Sequence, residues 1–231
     1  MDRKKFLKKG VLGIGSIIAI PSVISSCNSD NNNIGDNNTG VVDPNCSVSP
    51  AETAGPFPIR TPAQLIRENI VGNRSGVALM ITLNIQNTNA NCSPIQGALV
   101  DIWHCDAKGN YSEYDGQIEG DFTSENFLRG RQTTDANGNA TFVSIFPGWY
   151  PGRTPHLHVE IKRSNGTSLL ITQVSWSEAI SNTVYASPNY NGNADTNNSN
   201  DGIVSDANLA DSLVGNVTDG YVLMKNIKVA G

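Results

Sequence analysis

The 231-residue sequence predicts an all-β fold, an antiparallel β-sandwich with long loops and few short helices. Three observations lead there. Polar and apolar residues alternate with a period of two over residues 77–86 and again from His156 to Ile161. Runs rich in Gly, Asn, Asp, Pro and Ser separate such segments at short intervals. Helical periodicity is confined to short pieces, around 62–68 and 205–213.

In chain order, the first segment reads as an address. Met1-Asp-Arg-Lys-Lys-Phe-Leu-Lys-Lys is a basic start, residues 11–24 are an apolar run, and Ser25-Ser26-Cys27 ends it in small residues. This is a secretory signal over 1–27, too short to span a bilayer. Ile24-Ser-Ser-Cys27 also resembles a bacterial lipobox, with the usual leucine and the Gly or Ala replaced, which makes Cys27 the lipid-bearing residue; an ordinary cleaved signal is the alternative. The expected location is outside the cytoplasm: a lipoprotein anchored at the periplasmic or outer surface, or a secreted protein. Residues 28–45, almost all Asn, Asp, Ser, Thr and Gly, read as a disordered polar tether, and 46–231 as one domain.

Residues 1–27 hold five of the 16 Lys and Arg but one of the 21 Asp and Glu, leaving 11 against 20 and a net charge of about −9. That balance excludes nucleic acid or an anionic membrane surface as a partner, so a membrane enters only through the lipid at Cys27. Cys46, Cys92 and Cys105 remain after the signal, an odd number in an oxidising compartment: one disulfide and one spare thiol. Cys92 and Cys105 bracket an expected strand, so Cys46 is the shared partner of one or the other.

Within the domain, 77–86 and 97–104 read as the two strands of a hairpin around the turn residues of 87–94. Thr133-Thr-Asp-Ala-Asn-Gly-Asn is a turn feeding a strand, and 168–176 is apolar enough for a central strand. The sandwich expected is of the immunoglobulin or prealbumin-like kind. Residues 186–206 are too long and polar for a simple connection, and read as a lid or a disordered insertion.

Two of the three histidines fall in His156-Leu-His158, directly after the aromatic and Gly/Pro-rich turn carrying Tyr150 and Arg153. On a strand both imidazoles point to one face, roughly 6.6 Å apart at Cα, a spacing that suits one metal ion. A polar strand face is the plainer reading of such a pair.

Further motifs decide it. Ala98-Leu-Val-Asp-Ile-Trp-His-Cys-Asp-Ala-Lys-Gly-Asn-Tyr-Ser, Leu128-Arg-Gly-Arg-Gln-Thr-Thr-Asp-Ala-Asn-Gly and Pro147-Gly-Trp-Tyr-Pro-Gly-Arg-Thr-Pro-His-Leu-His resemble the intradiol ring-cleavage dioxygenases, the protocatechuate and catechol dioxygenase group. Glu52-Thr-Ala-Gly-Pro-Phe57 and Ile171-Thr-Gln173 resemble two more segments of that family, in the same order. The resemblance implies a non-haem Fe(III) ion held by Tyr111, Tyr150, His156 and His158. It further implies that Arg153 stabilises negative charge on a bound catecholate, that Gln173 stands behind the substrate, and that Thr53 and Pro56 line its pocket. Tyr150 is the tyrosine expected to leave the metal and take a proton. The substrate would be a catechol-type ring opened by O2 between its hydroxyl-bearing carbons; assembly as a homo-oligomer stays open.

Four other residues compete for these roles. Tyr114 could replace Tyr111, Glu160 could make a two-histidine, one-carboxylate site, His104 reads as structural, and Cys105 reads as a disulfide partner before a free thiol. Two other functions remain: a non-catalytic cell-surface binding module, or a zinc or copper site using the His-x-His pair.

Overall fold

The computed structural model describes residues 46–231. The signal, Cys27 and the polar tether lie outside the described residues.

Two sheets form a sandwich. The first contains β1 (Ala78–Asn87), β2 (Ser93–Pro94), β5 (Asn139–Ile145), β8 (Ser212–Asn216) and β9 (Gly220–Val229). The second runs in the order β4 (Arg129–Thr133), β3 (Leu99–Trp103), β6 (Leu157–Lys162) and β7 (Ser168–Val174), antiparallel throughout. Alternation sets which residues turn inward. Leu79, Ile81, Leu83 and Ile85 of β1 are fully buried, and Val100, Ile102, Leu157, Val159 and Ile161 share the same core.

Strand pairing differs from the sequence expectation in three places. β1 and β3 do not form a hairpin: β1 pairs with β5 and β9, while β3 belongs to the opposite sheet. Both strands carry an apolar face, and facing each other across the core buries both. β1 and β9 run parallel, with Leu79 opposite Tyr221, so the sandwich is not wholly antiparallel. β7 is an edge strand of its sheet, its side protected by a bridge from Ser175 to Leu209.

Helix is sparse. Residues 62–68 contribute a single 3₁₀ turn at Pro62–Gln64, and 205–213 a 3₁₀ turn at Asp206–Asn208 running into β8. Among the described residues the α-helix is α1 (Glu178–Tyr185), which lies where no element was expected; it buries Ser181, Val184 and Tyr185.

Cys46 pairs with Cys92, tying the start of the domain to the β1–β2 turn. Cys105 is the spare thiol, buried and free, which corrects its reading as a disulfide partner. Residues 186–206 are neither structureless nor detached. Tyr190 Oη donates to the Phe146 carbonyl at 2.9 Å and accepts from the Val77 N–H at 3.0 Å, pinning the loop across the core edge.

Candidate metal centre

Because Leu157 and Val159 face the core, His158 must face outward from the four-stranded sheet. There it stands between Trp103 of β3 and Gln173 of β7, its cross-strand neighbours. His158 is nevertheless only 1 % exposed, because loops cover this face. Trp103 stacks on its imidazole with centroids 5.0 Å apart. Gly55, at φ +70°, approaches so closely that a Cβ there would meet His158 Cε1 at 3.0 Å.

Two turns bring the tyrosines. Asp106 Oδ1 accepts the N–H groups of Lys108 and Asn110, both at 2.9 Å, forming the tight turn that presents Tyr111. Gly148 packs that turn against the Tyr150 segment: a Cβ at 148 would stand 2.6 Å from the carbonyls of Asp106 and Ala107. The rings of Tyr111 and Tyr150 meet edge to face, 5.8 Å apart.

Four donors converge. His156 Nε2 lies 3.2 Å from His158 Nε2 and 3.2 Å from Tyr150 Oη. Tyr111 Oη is buried with no hydrogen-bond partner among the described residues. His156 Nδ1 is 2.6 Å from the Thr154 carbonyl, which can only accept, so the proton sits on Nδ1 and Nε2 offers its lone pair inward. Burial, with Arg153 adding, lowers His156 to about 4 and His158 well below its ordinary value; both are neutral at pH 7. Burial also pushes Tyr150 up to about 12, and Tyr111 well above its usual value with Tyr150 beside it. Without a cation this is a cluster of neutral groups in which the His156 Nε2 lone pair can be met only by donors, the Tyr150 hydroxyl and the His158 ring. A multivalent cation reverses the balance for the phenols, as it does for any coordinating acid.

The competing ligands are engaged elsewhere. Tyr114 Oη donates to the Pro58 carbonyl at 2.7 Å, and its ring carries the Arg60 guanidinium at 3.9 Å. Glu160 pairs with Lys162 at 2.9 Å. His104 bridges the Cys105 carbonyl at 2.8 Å and Ser144 Oγ at 2.7 Å, a structural histidine. Among the described residues no three His, Cys, Asp or Glu side chains gather at one point, so a conventional zinc site around the histidine pair lacks its third ligand.

Arg153 is not a solvent-facing turn residue. Its Nε donates to Asp201 Oδ2 at 2.8 Å and its Nη2 to Gln173 Oε1 at 2.6 Å; Gln173 Nε2 in turn donates to the Thr53 carbonyl at 3.0 Å. Thr53 thus joins through its backbone, with its Oγ1 accepting the Gly55 N–H at 3.1 Å. Pro56 is exposed, whereas its neighbour Phe57 lies against the Tyr111 ring at 5.1 Å. Burial alone would raise the Asp201 carboxyl, but Arg153 and the backbone N–H groups of Val204, Thr154 and Ile203 hold it at about 2.

Sequence reasoning missed Asp201, Asn198 and Arg129. The first two sit in a polar loop with no motif. Arg129, fully buried, donates to the Phe57 carbonyl at 3.0 Å, to Ser112 Oγ at 2.9 Å and to the Ser112 carbonyl at 2.6 Å, wrapping the segments on either side of Tyr111. Its available signal was its place in the Leu128-Arg-Gly-Arg segment, which runs into β4.

The two-sheet sandwich thus carries paired imidazoles and paired phenols together on one face, with the Arg153 guanidinium held by Asp201 and Gln173. The family model described as "Dioxygenase" matches residues 59–183. The structure is similar to an intradiol ring-cleavage dioxygenase from Tetranychus urticae: 34 % identity, TM-score 0.70, 80 % of this chain and 95 % of that one. It also resembles the dioxygenase domain of a carbohydrate-binding fusion from Streptomyces sp. SirexAA-E, at 25 % identity and TM-score 0.59 over 79 % and 97 % of the two chains. The protocatechuate 3,4-dioxygenase beta chain of Burkholderia cepacia is 28 % identical over 120 residues, 47 % of this chain and 49 % of that protein. The chain belongs to the intradiol ring-cleavage dioxygenase family. It spans about half the length of the curated relatives it matches.

Proposed function

We propose that this protein is a non-haem Fe(III) dioxygenase that opens a catechol-type ring between its two hydroxyl-bearing carbons. The observation that carries the reading is the convergence of His156 Nε2, His158 Nε2 and Tyr150 Oη, with the Tyr111 phenol buried beside them. The donor chemistry fits: phenolate is a hard anionic ligand suited to ferric iron, and two neutral imidazoles complete the set. Tyr111, Tyr150, His156 and His158 would hold the ion. When bound, Fe(III) supplies the Lewis-acid and electron-accepting chemistry that makes a catecholate ring reactive toward O2.

The remaining work falls to this chain's side chains. Tyr150, the less buried of the two phenols, exchanges a proton at Oη when a substrate hydroxyl is deprotonated. Arg153, held at two nitrogens, sets a fixed positive charge where negative charge develops on the ring. Gln173 fixes the guanidinium and is itself anchored to Thr53. The loop cover excludes water around His156 and His158, both about 2 % exposed or less. In the balanced reaction the bond between the two hydroxyl-bearing carbons breaks and both oxygen atoms enter one cis,cis-muconate-type diacid.

Oxygen uptake by the iron-loaded protein with catechol, protocatechuate and hydroxyquinol tests the assignment. Uptake matched one-to-one by diacid product supports it; a colourless, iron-free protein with no uptake would favour a binding module instead. We also propose export with lipid attachment at Cys27, a setting in which the Cys46–Cys92 disulfide persists. Cys27→Ala should release the protein from the membrane fraction, and unchanged fractionation removes the anchor.

A further inference from the structure

We propose that Asp201 is a positioning residue for Arg153, and that the 186–206 loop carrying it is a built part of the active site. The inference rests on the function proposed above.

The Asp201 side chain has no exposed surface, and the atoms bonded to its two oxygens are all donors. Oδ1 accepts the N–H groups of Ile203 and Val204, at 2.8 and 2.9 Å, which folds the loop end around the carboxylate. Oδ2 reaches outside the loop, accepting Arg153 Nε at 2.8 Å and the Thr154 N–H at 2.9 Å. One carboxylate therefore fixes both a side chain and the backbone next to it.

Arginine is long and flexible, and one bond would leave its planar head free to swing. Here Nε goes to Asp201 and Nη2 to Gln173, so two bonds from different segments lock the plane of the guanidinium. Nη1 is left as the guanidinium nitrogen without a hydrogen-bond partner among the described residues. That is the donor a negatively charged ring oxygen can use.

The same loop holds the adjoining residue from its other side. Asn198 Oδ1 accepts Thr154 Oγ1 at 2.6 Å and Ser175 Oγ at 3.1 Å, while its Nδ2 donates to the Trp176 carbonyl at 2.8 Å. The Thr154 carbonyl is the acceptor that sets the His156 tautomer. The loop thus supports the orientation of Arg153 and the segment on which His156 depends.

The test measures solvent exchange of the Arg153 Nε–H proton by NMR in the metal-free protein, assigned by its loss in Arg153→Ala, together with thermal melting and, in the iron-loaded protein, turnover. Asp201→Ala should melt cooperatively, exchange that proton at least about tenfold faster, and lose at least about tenfold in kcat. Asp201→Asn should fall between, because its amide keeps one acceptor oxygen but must set its NH2 against a donor. In an Arg153→Ala background neither Asp201 substitution should cost further turnover, since the group being positioned is gone. Unchanged exchange in a folded variant overturns the proposal, and so do losses that multiply with Arg153→Ala. Should Asp201→Ala fail to fold, Asp201→Asn must still show the faster exchange. A wild-type protein without catechol turnover overturns the proposed function instead, and the exchange measurement then decides alone whether Asp201 holds Arg153.

Discussion

The Nε2 atoms of His156 and His158 face each other at 3.2 Å, with the other nitrogen of His156 already committed to the Thr154 carbonyl. The Nε2 lone pair of His156 is thereby aimed at the point it shares with His158 Nε2 and Tyr150 Oη, where a cation would be held. The strand fixes His158 through its buried neighbours Leu157 and Val159, so of the four donors it is the most rigidly supplied.

His158→Ala should therefore abolish iron retention. Losing a group that merely orients a ligand commonly costs 10- to 100-fold in metal affinity, and removing the ligand itself should cost at least about 100-fold. Metal analysis after dialysis checks this. Stoichiometric iron in the variant would show that the ligand set is wrong.

Arg153 should separate chemistry from metal binding. Arg153→Ala keeps the iron and the tyrosinate-to-iron colour but loses about 10²–10³ in turnover, the usual effect of removing one preorganised charge-stabilising donor. Arg153→Lys recovers little, because a point charge cannot bond Asp201 and Gln173 together as the planar fork does. Rates normalised to iron content decide it, and full activity in Arg153→Ala would remove the role.

The metal-free protein should weaken in mild acid. Burial lowers His104 to about 4, opposed in part by its bond to the Cys105 carbonyl and helped by Arg129. An unfolded histidine titrates near 6.5, so as pH falls from about 6.5 to about 4 the unfolded chain takes up a proton that the folded chain refuses. Stability is thus full above that window and lost through it, by on the order of 3 kcal/mol from this residue. Urea midpoints between pH 7 and 4.5 should fall more steeply for the wild type than for His104→Asn; equal slopes would mean His104 is not the group responsible.

How much of this was legible in the sequence depends on range. Alternation identified the faces of β1 and β6, because side-chain direction is a local property of a strand. It did not say which strand edges pair, so the expected hairpin became strands in opposite sheets, and the parallel pairing of β1 with β9 left no local trace. The eight residues of α1 were too few for periodicity to stand out. At the site, the two histidines stood out through their spacing, and Tyr111, Tyr150 and Arg153 through motifs. Asp201 was hidden, since it lies 48 residues from the arginine it holds, in a loop whose composition reads as unstructured.

Isotope labelling tests ring opening with both atoms of oxygen most directly. The iron-loaded protein, given catechol and ¹⁸O₂, should release a cis,cis-muconate-type diacid carrying two ¹⁸O atoms, one in each new carboxyl group. A single labelled atom, a semialdehyde from cleavage beside the hydroxyl-bearing carbons, or unreacted catechol would contradict the account.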